Sequence, residues 1–177
     1  MENIFKTDEN YMYGELRKYD ENYDRITSII EEEITNPNLR KNGGILFGTV
    51  GLYYPESLIY MKDVLTDSIV GYMGLTQNYG KGLYISQIAV RKENRRQGIA
   101  TKLVKEAIKR AHELGINTVS ADIARDNDVS KAFFSTFEFS NDDYSIYGGD
   151  RYFLDTEYYV AKHQEEFTSG NDKASTY

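Results

Sequence analysis

The 177-residue sequence contains no cysteine. That absence excludes disulfide scaffolds, cysteine nucleophiles, zinc knuckles and dithiol redox motifs together. Histidine is nearly as scarce. Only His112 and His163 occur, too few for a multi-histidine metal site, and no metal is expected. Proline occurs only at positions 37 and 55, both assigned to connections, and there is no Pro/Ser-rich linker. No apolar run approaches the roughly 20 residues of a membrane span, so no membrane partner is expected. The opening Met1-Glu2-Asn3-Ile4-Phe5-Lys6-Thr7-Asp8 lacks the basic start and apolar core of a signal peptide. The expected compartment is therefore cytoplasmic.

What is present fits an ordinary globular protein. The apolar share is 40% and the charged share 28%. A chain of this length predicts one domain burying about 70% of its unfolded surface. With 21 basic and 28 acidic residues the net charge is −7, which argues against non-specific nucleic-acid binding.

Hydrophobic periodicity predicts a helix over Asp20 to Thr35, with Tyr23, Ile26, Ile29, Ile30 and Ile34 on one face. Strands are predicted at Ile45–Val50, Leu58–Met61, Ser68–Leu75 and Gly82–Val90, with a hairpin turn at Thr66-Asp67. A loop at 91–94 leads to a strong amphipathic helix. Its apolar face is Ile99, Leu103, Val104, Ala107, Ile108, Ala111 and Leu114, and Gly115 is placed to stop it. A strand at Thr118–Ile123 and a shorter helix over Val129–Phe137 follow. Two more strands are expected near Tyr144–Tyr147 and Glu157–Ala161, then a frayed polar tail from His163 to Tyr177. The order implies an α/β fold of mixed sheet and flanking helices.

One junction carries chemistry. Arg95-Arg96-Gln97-Gly98-Ile99-Ala100-Thr101 lies between the clearest strand and the strongest helix. A helix start offers unpaired N–H groups and a partial positive charge to an anion. Gly98 and Ala100 lack bulk, so a phosphate could come close to the backbone. Neither GxGxxG nor GxxxxGK[ST] is present, which removes support for a dinucleotide fold or a P-loop. The same residues also suit a plain small-residue helix entry with two solvated arginines. Charge favours the anion. From Arg91 to Arg110 eight basic residues face only Glu93 and Glu106, a net +6 that leaves −13 on the rest of the chain.

Arg95-x-x-Gly98-x-Ala100, after Ile88-Ala89-Val90 and before an amphipathic helix, resembles the acetyl-CoA motif of the GNAT superfamily of N-acetyltransferases, Q/R-x-x-G-x-G/A. Asn127-Asp128-Val129-Ser130-Lys131-Ala132-Phe133-Phe134 looks like that family's second coenzyme segment. The resemblance covers roughly residues 58 to 162, is firm from Gly82 to Phe139, and treats 1–162 as one domain with 163–177 a disordered tail. It implies a mostly antiparallel sheet flanked by helices, with the strands Gly82–Val90 and Thr118–Ile123 splayed to admit a thioester. It further implies that Ile88, Ala89 and Val90 pair with the pantetheine arm as an added strand. The N–H groups from Arg96 to Thr101, with Arg95, Gln97, Gly98, Ile99 and Ala100 in that turn, would cradle the pyrophosphate. Asn127 would hydrogen-bond the pantetheine. A base five residues before the asparagine resembles ribosomal-protein N-terminal acetyltransferases, which puts Asp122 in the catalytic position. A carboxylate there could take the proton of an amine whose pKa is about 10.4. A solvated or turn-capping acid is the equal alternative.

Two departures from the family pattern matter. Phe134 stands among the coenzyme-contacting positions where many members carry a tyrosine that protonates the leaving thiolate, and Glu138 replaces the glycine of the usual "GF". The thiolate could leave unprotonated, its pKa being about 8.5 by analogy with cysteine. Tyr144 or Tyr147 could serve instead, or the coenzyme could bind without turnover. Ser86 and Gln87 leave the central strand without a carboxylate. The expected activity is transfer of acetyl from acetyl-CoA to a primary amine by direct attack, since no cysteine exists to form an acyl-enzyme. The rival is an acyl-CoA-binding protein with weak or no catalysis. A third, weaker reading is action on aminoacyl-tRNA. The acceptor is expected to be cationic, drawn by Glu21, Asp24, Glu31, Glu32, Glu33, Glu138, Asp142, Asp143, Asp150, Asp155 and Glu157, with the alternative that these acids only keep the protein soluble. A homodimer stays open.

Overall fold

A computed structural model describes residues 2–17, 20–34, 57–78, 82–144 and 149–168. The elements in chain order are β1 (Ile4–Thr7), β2 (Tyr11–Arg17), α1 (Tyr23–Glu33), β3 (Ser57–Asp63), β4 (Ile69–Asn78), β5 (Gly82–Val90), a 3-10 turn (Lys92–Asn94) and α2 (Ile99–Glu113). There follow β6 (Thr118–Ala124), α3 (Asp128–Ser135), β7 (Ser140–Tyr144), β8 (Gly149–Asp155), α4 (Thr156–Lys162) and α5 (Gln164–Thr168). The expected α/β class is observed. The chain forms two compact units, Met1–Gln77 with Tyr84–Lys105, and Asn78–Leu83 with Glu106–Tyr177.

In the first unit the strands run in the order β1-β2-β3-β4-β5. The β1–β2, β2–β3 and β3–β4 pairings are antiparallel. The α1 stripe read from the sequence is the buried one. Ile26 and Ile30 pack with Leu16, Leu58, Tyr60, Ile69 and Tyr72, and Tyr23 and Ile29 lie against that cluster. The β3–β4 turn closes as predicted around Thr66-Asp67. One Asp63 carboxylate oxygen accepts from the N–H groups of Leu65 and Thr66 at 2.9 and 2.8 Å, and Asp67 takes a φ of 55°. Strands β1 and β2 are additions to the sequence-based reading. The predicted strand Ile45–Val50 and both prolines lie outside the described residues.

In the second unit β6, β8 and β7 are neighbours in that order, both pairings antiparallel. The end of α2 follows the expected Gly115. Its φ is 66°, and Ile116 N–H reaches back to the Ala111 carbonyl at 2.7 Å, a six-residue closure that satisfies a terminal carbonyl. Leu114 is a correction: expected on the apolar face, it is 67% exposed, because the helix ends at Glu113 and Leu114 lies in the exit turn before Gly115. Val129 is likewise 82% exposed, and the α3 core is instead the ring cluster of Phe133, Phe134, Phe137 and Phe139.

The last stretch needs three further corrections. Of the strand expected at Tyr144–Tyr147, Tyr144 is described within β7 and 145–147 lie outside the described residues, while the partner strand β8 was not anticipated. The strand expected at Glu157–Ala161 is helix α4. Asp155 caps it, its carboxylate accepting from Tyr158 N–H at 2.8 Å, and a run this short fits either period until the cap decides. The tail expected to fray carries α5, where Phe167 meets Tyr159 edge-on with ring centres 6.2 Å apart.

Candidate active site

In the first unit, β5 delivers the chain through the 3-10 turn into α2, and the turn is tied to the sheet from behind. Arg91 donates its backbone N–H to Val70 O at 2.8 Å and its Nε to Ile69 O at 3.0 Å, and its guanidinium pairs with Glu33 at the end of α1. Arg95 Nε donates to Val90 O at 3.3 Å. Arg91 thus acts as a brace rather than as a solvated cation.

Between Arg95 and α2 the backbone takes left-handed values twice, at Arg96 (φ 64°) and at Gly98 (φ 76°). For an arginine that conformation costs on the order of 1 kcal/mol, and such strain clusters at functional sites. Alternating backbone conformation turns successive N–H groups toward one concavity, an anion-binding nest. The first intrahelical bond runs from Lys102 N–H to Gly98 O at 2.9 Å. Among the described residues, the N–H groups of residues 96–101 find no protein acceptor. A Cβ built on Gly98 meets nothing within 4 Å, so the space beside this residue is open. The sequence-expected Arg95, Arg96, Gln97, Gly98, Ile99, Ala100 and Thr101 therefore form one continuous turn. Ile88, Ala89 and Val90, half-buried, lead into it. Ile99 is 1% exposed and anchors α2 beside Gly71, whose added Cβ would come 2.8 Å from the Ile99 Cγ2.

In the second unit Asp122 lies in β6 opposite Arg151 of β8. Arg151 donates Nε to one carboxylate oxygen at 2.7 Å and a terminal nitrogen to the other at 2.9 Å. Such a bidentate pair engages both carboxylate oxygens. Asn127 is the N-cap of α3, its side-chain oxygen accepting from Ser130 N–H at 3.1 Å. The capping frees its amide N–H groups for another partner while fixing their direction. Phe134 is 3% exposed and meets Phe133 and Phe139 edge-on. Its position offers a ring and no hydroxyl.

Several acids expected to draw an acceptor are already matched. Asp150 holds Lys131 at 2.8 Å and Glu138 holds Lys162 at 2.8 Å, while Glu33 pairs with Arg91 and Asp155 caps α4. The Asp142 and Asp143 side chains, the Tyr144 side chain and all of Tyr147 lie outside the described residues. Sequence reasoning missed the roles of Arg151 and Arg91, because cross-strand and sheet-to-helix neighbours leave no local signal.

The model of the acetyltransferase (GNAT) family matches residues 23–139, more than half of the chain. The chain belongs to the GNAT acetyltransferase family. No curated protein matches its sequence. Among solved structures, this GNAT chain is similar to a GNAT-family acetyltransferase of Staphylococcus aureus, with a TM-score of 0.58 and 16% identity over 81% of this chain and 99% of that one. A protein of Klebsiella pneumoniae assigned as an acyl-CoA N-acyltransferase gives 0.61 with 8% identity, covering 82% of this chain and 97% of that one. A protein of Bacillus anthracis assigned as a streptothricin acetyltransferase, in complex with acetyl coenzyme A, gives 0.51 with 19% identity over 59% of this chain. The match spans 65% of that Bacillus chain, less than two thirds of its length. At these identities the likeness is one of fold. Among the described residues no helix is long and apolar enough to cross a membrane.

Proposed function

We propose that this GNAT chain transfers acetyl from acetyl-CoA to a primary amine by direct attack. The observation that carries the reading is the turn before α2, where two left-handed residues flank Gln97 and the N–H groups of 96–101 find no protein acceptor among the described residues. A pyrophosphate suits that turn. It is a doubly charged anion with several acceptors, and the turn supplies donors, a helix start and Arg95 and Arg96. Ile88, Ala89 and Val90 would take the pantetheine as an added strand, and the amide nitrogen of Asn127 would donate to it.

Asp122 is the proposed base. In the free protein Arg151 occupies both its oxygens, so proton acceptance requires that pair to loosen as the acceptor arrives. A cationic acceptor fits this, since an ammonium can compete with a guanidinium for the carboxylate. The exposed acids Asp24, Glu32 and Glu157 would add to its attraction. A second reading, binding of acyl-CoA without efficient turnover, is favoured by Phe134, where no hydroxyl can protonate a leaving thiolate.

Two measurements test the reading. Acetyl-CoA should raise the thermal midpoint, and Gly98→Glu, which sets a carboxylate in the open nest, should abolish that rise while the fold persists. Unaltered binding in Gly98→Glu would show the phosphate cradle to be elsewhere. Thiol release from acetyl-CoA across a panel of mono- and polyamines, neutral amines and peptides separates transfer from mere binding.

A further inference from the structure

The hairpin turn between β1 and β2 reaches the phosphate turn, and it does so with a charge. Asp8 Oδ2 accepts from Lys102 Nζ at 2.7 Å, across 94 residues of sequence. Lys102 lies in the first turn of α2, four residues after Gly98, and helical side chains lean back toward the helix start. The Lys102 ammonium also sits over the Tyr11 ring, 5.5 Å from its centre, and the Tyr11 hydroxyl lies 3.4 Å from the Gln97 side-chain oxygen. Tyr11 is 7% exposed, so this platform is rigid. Asp8 is equally fixed. Its Oδ1 accepts from the N–H groups of Asn10 and Tyr11 at 2.9 and 2.8 Å, and its Oδ2 also accepts from the Tyr13 hydroxyl at 3.1 Å.

We infer that Asp8 is an internal counter-anion that holds the Lys102 ammonium away from the coenzyme phosphates and so sets the affinity of the turn for acetyl-CoA. The inference rests on the reading of this turn as the coenzyme site. Partial burial pushes the Asp8 carboxyl up, but the Lys102 ammonium and the two backbone N–H groups outweigh it and hold it at about 2. The counter-anion is thus charged throughout the neutral range. A bound phosphate and Asp8 compete for one ammonium. Removing the carboxylate frees that ammonium for the phosphate. Removing the ammonium leaves a carboxylate near the phosphate with nothing to neutralise it.

The two single substitutions must therefore act in opposite directions, which no simple loss of structure would do. Titration of the full chain with acetyl-CoA by calorimetry should show Asp8→Asn binding about 3- to 5-fold tighter than wild type, the range of a partly exposed ion pair. Asn at this position keeps an oxygen for the turn's N–H groups. Lys102→Met should bind weaker by a similar factor, and the double variant should return close to wild type. Raising the salt should shrink both differences. The thermal midpoint without coenzyme, measured alongside, confirms that each variant is folded. Weaker or unchanged binding in Asp8→Asn, or additive losses in the double variant, would overturn the inference while leaving the coenzyme site intact. Failure of the wild-type chain to bind acetyl-CoA would instead overturn both this inference and the proposed function.

Discussion

Gly14→Ala offers the sharpest test of how the first unit is packed. Gly14 of β2 stands opposite Tyr60 of β3, and the Tyr60 ring lies across it, 0% exposed. A Cβ built on Gly14 would fall 2.1 Å from the ring Cζ, 2.3 Å from the hydroxyl oxygen and 2.6 Å from Cε1. Contacts that short require the ring to move. It has no room to do so, because Tyr72 lies opposite on β4 and Ile26, Ile30, Leu16 and Leu58 complete the cluster. Overpacking of this kind costs about 1–3 kcal/mol. For a protein of this size each kcal/mol lowers the thermal midpoint by about 2–4 °C. The assay is urea and thermal unfolding followed by circular dichroism, in two backgrounds. Tyr60→Leu removes the tip of the ring and leaves space above Gly14. There the same Gly14→Ala change should cost almost nothing, the lower chain entropy of alanine in the unfolded state offsetting about 0.4–1 kcal/mol. An equal cost in both backgrounds, or none when Tyr60 is present, would refute this account of the packing.

Gly71→Ala should move the start of α2, because its Cβ would press on Ile99 Cγ2 at 2.8 Å and on the Ala89 carbonyl at 3.2 Å. The expected result is a loss of about 1–2 kcal/mol in stability together with weaker acetyl-CoA binding, read by calorimetry. Asp122→Asn should lower turnover by about 10²–10⁴-fold if Asp122 is the base, whereas Arg151→Gln, which removes the guanidinium from the carboxylate, should preserve or raise it. A parallel fall in both variants, with parallel losses of thermal midpoint, would make the pair a structural strut. Asp8 gives a pH signature. Its carboxyl is depressed from 3.8 to about 2. A depressed carboxyl stabilises the fold above its unfolded value and loses that contribution as pH falls through the folded one. Asp8→Asn should therefore be less stable than wild type at neutral pH, with the gap closing between about pH 4 and pH 2 in acid unfolding.

The elements that the sequence by itself determined are those whose cause is local. A periodic apolar stripe makes α2 a helix wherever it packs. Gly115 can adopt the left-handed exit that ends it, and the small residues Gly98 and Ala100 open the turn before it. For the same reason the candidate anion-binding turn was legible, since donors, helix start and charge all fall within Arg91 to Arg110. Tertiary structure alone decided what depends on register and long-range pairing. Arg151 meets Asp122 because β8 lies antiparallel to β6 in one register, 29 residues away in sequence. Asp8 meets Lys102 across 94 residues, on a hairpin whose four-residue first strand is too short to signal itself by alternation. The short run Glu157–Ala161 satisfies strand and helix periods alike, and only the Asp155 cap made it a helix. Apolar periodicity reports which face is buried, whereas the partner of a charge is fixed only when two distant segments are brought into one register.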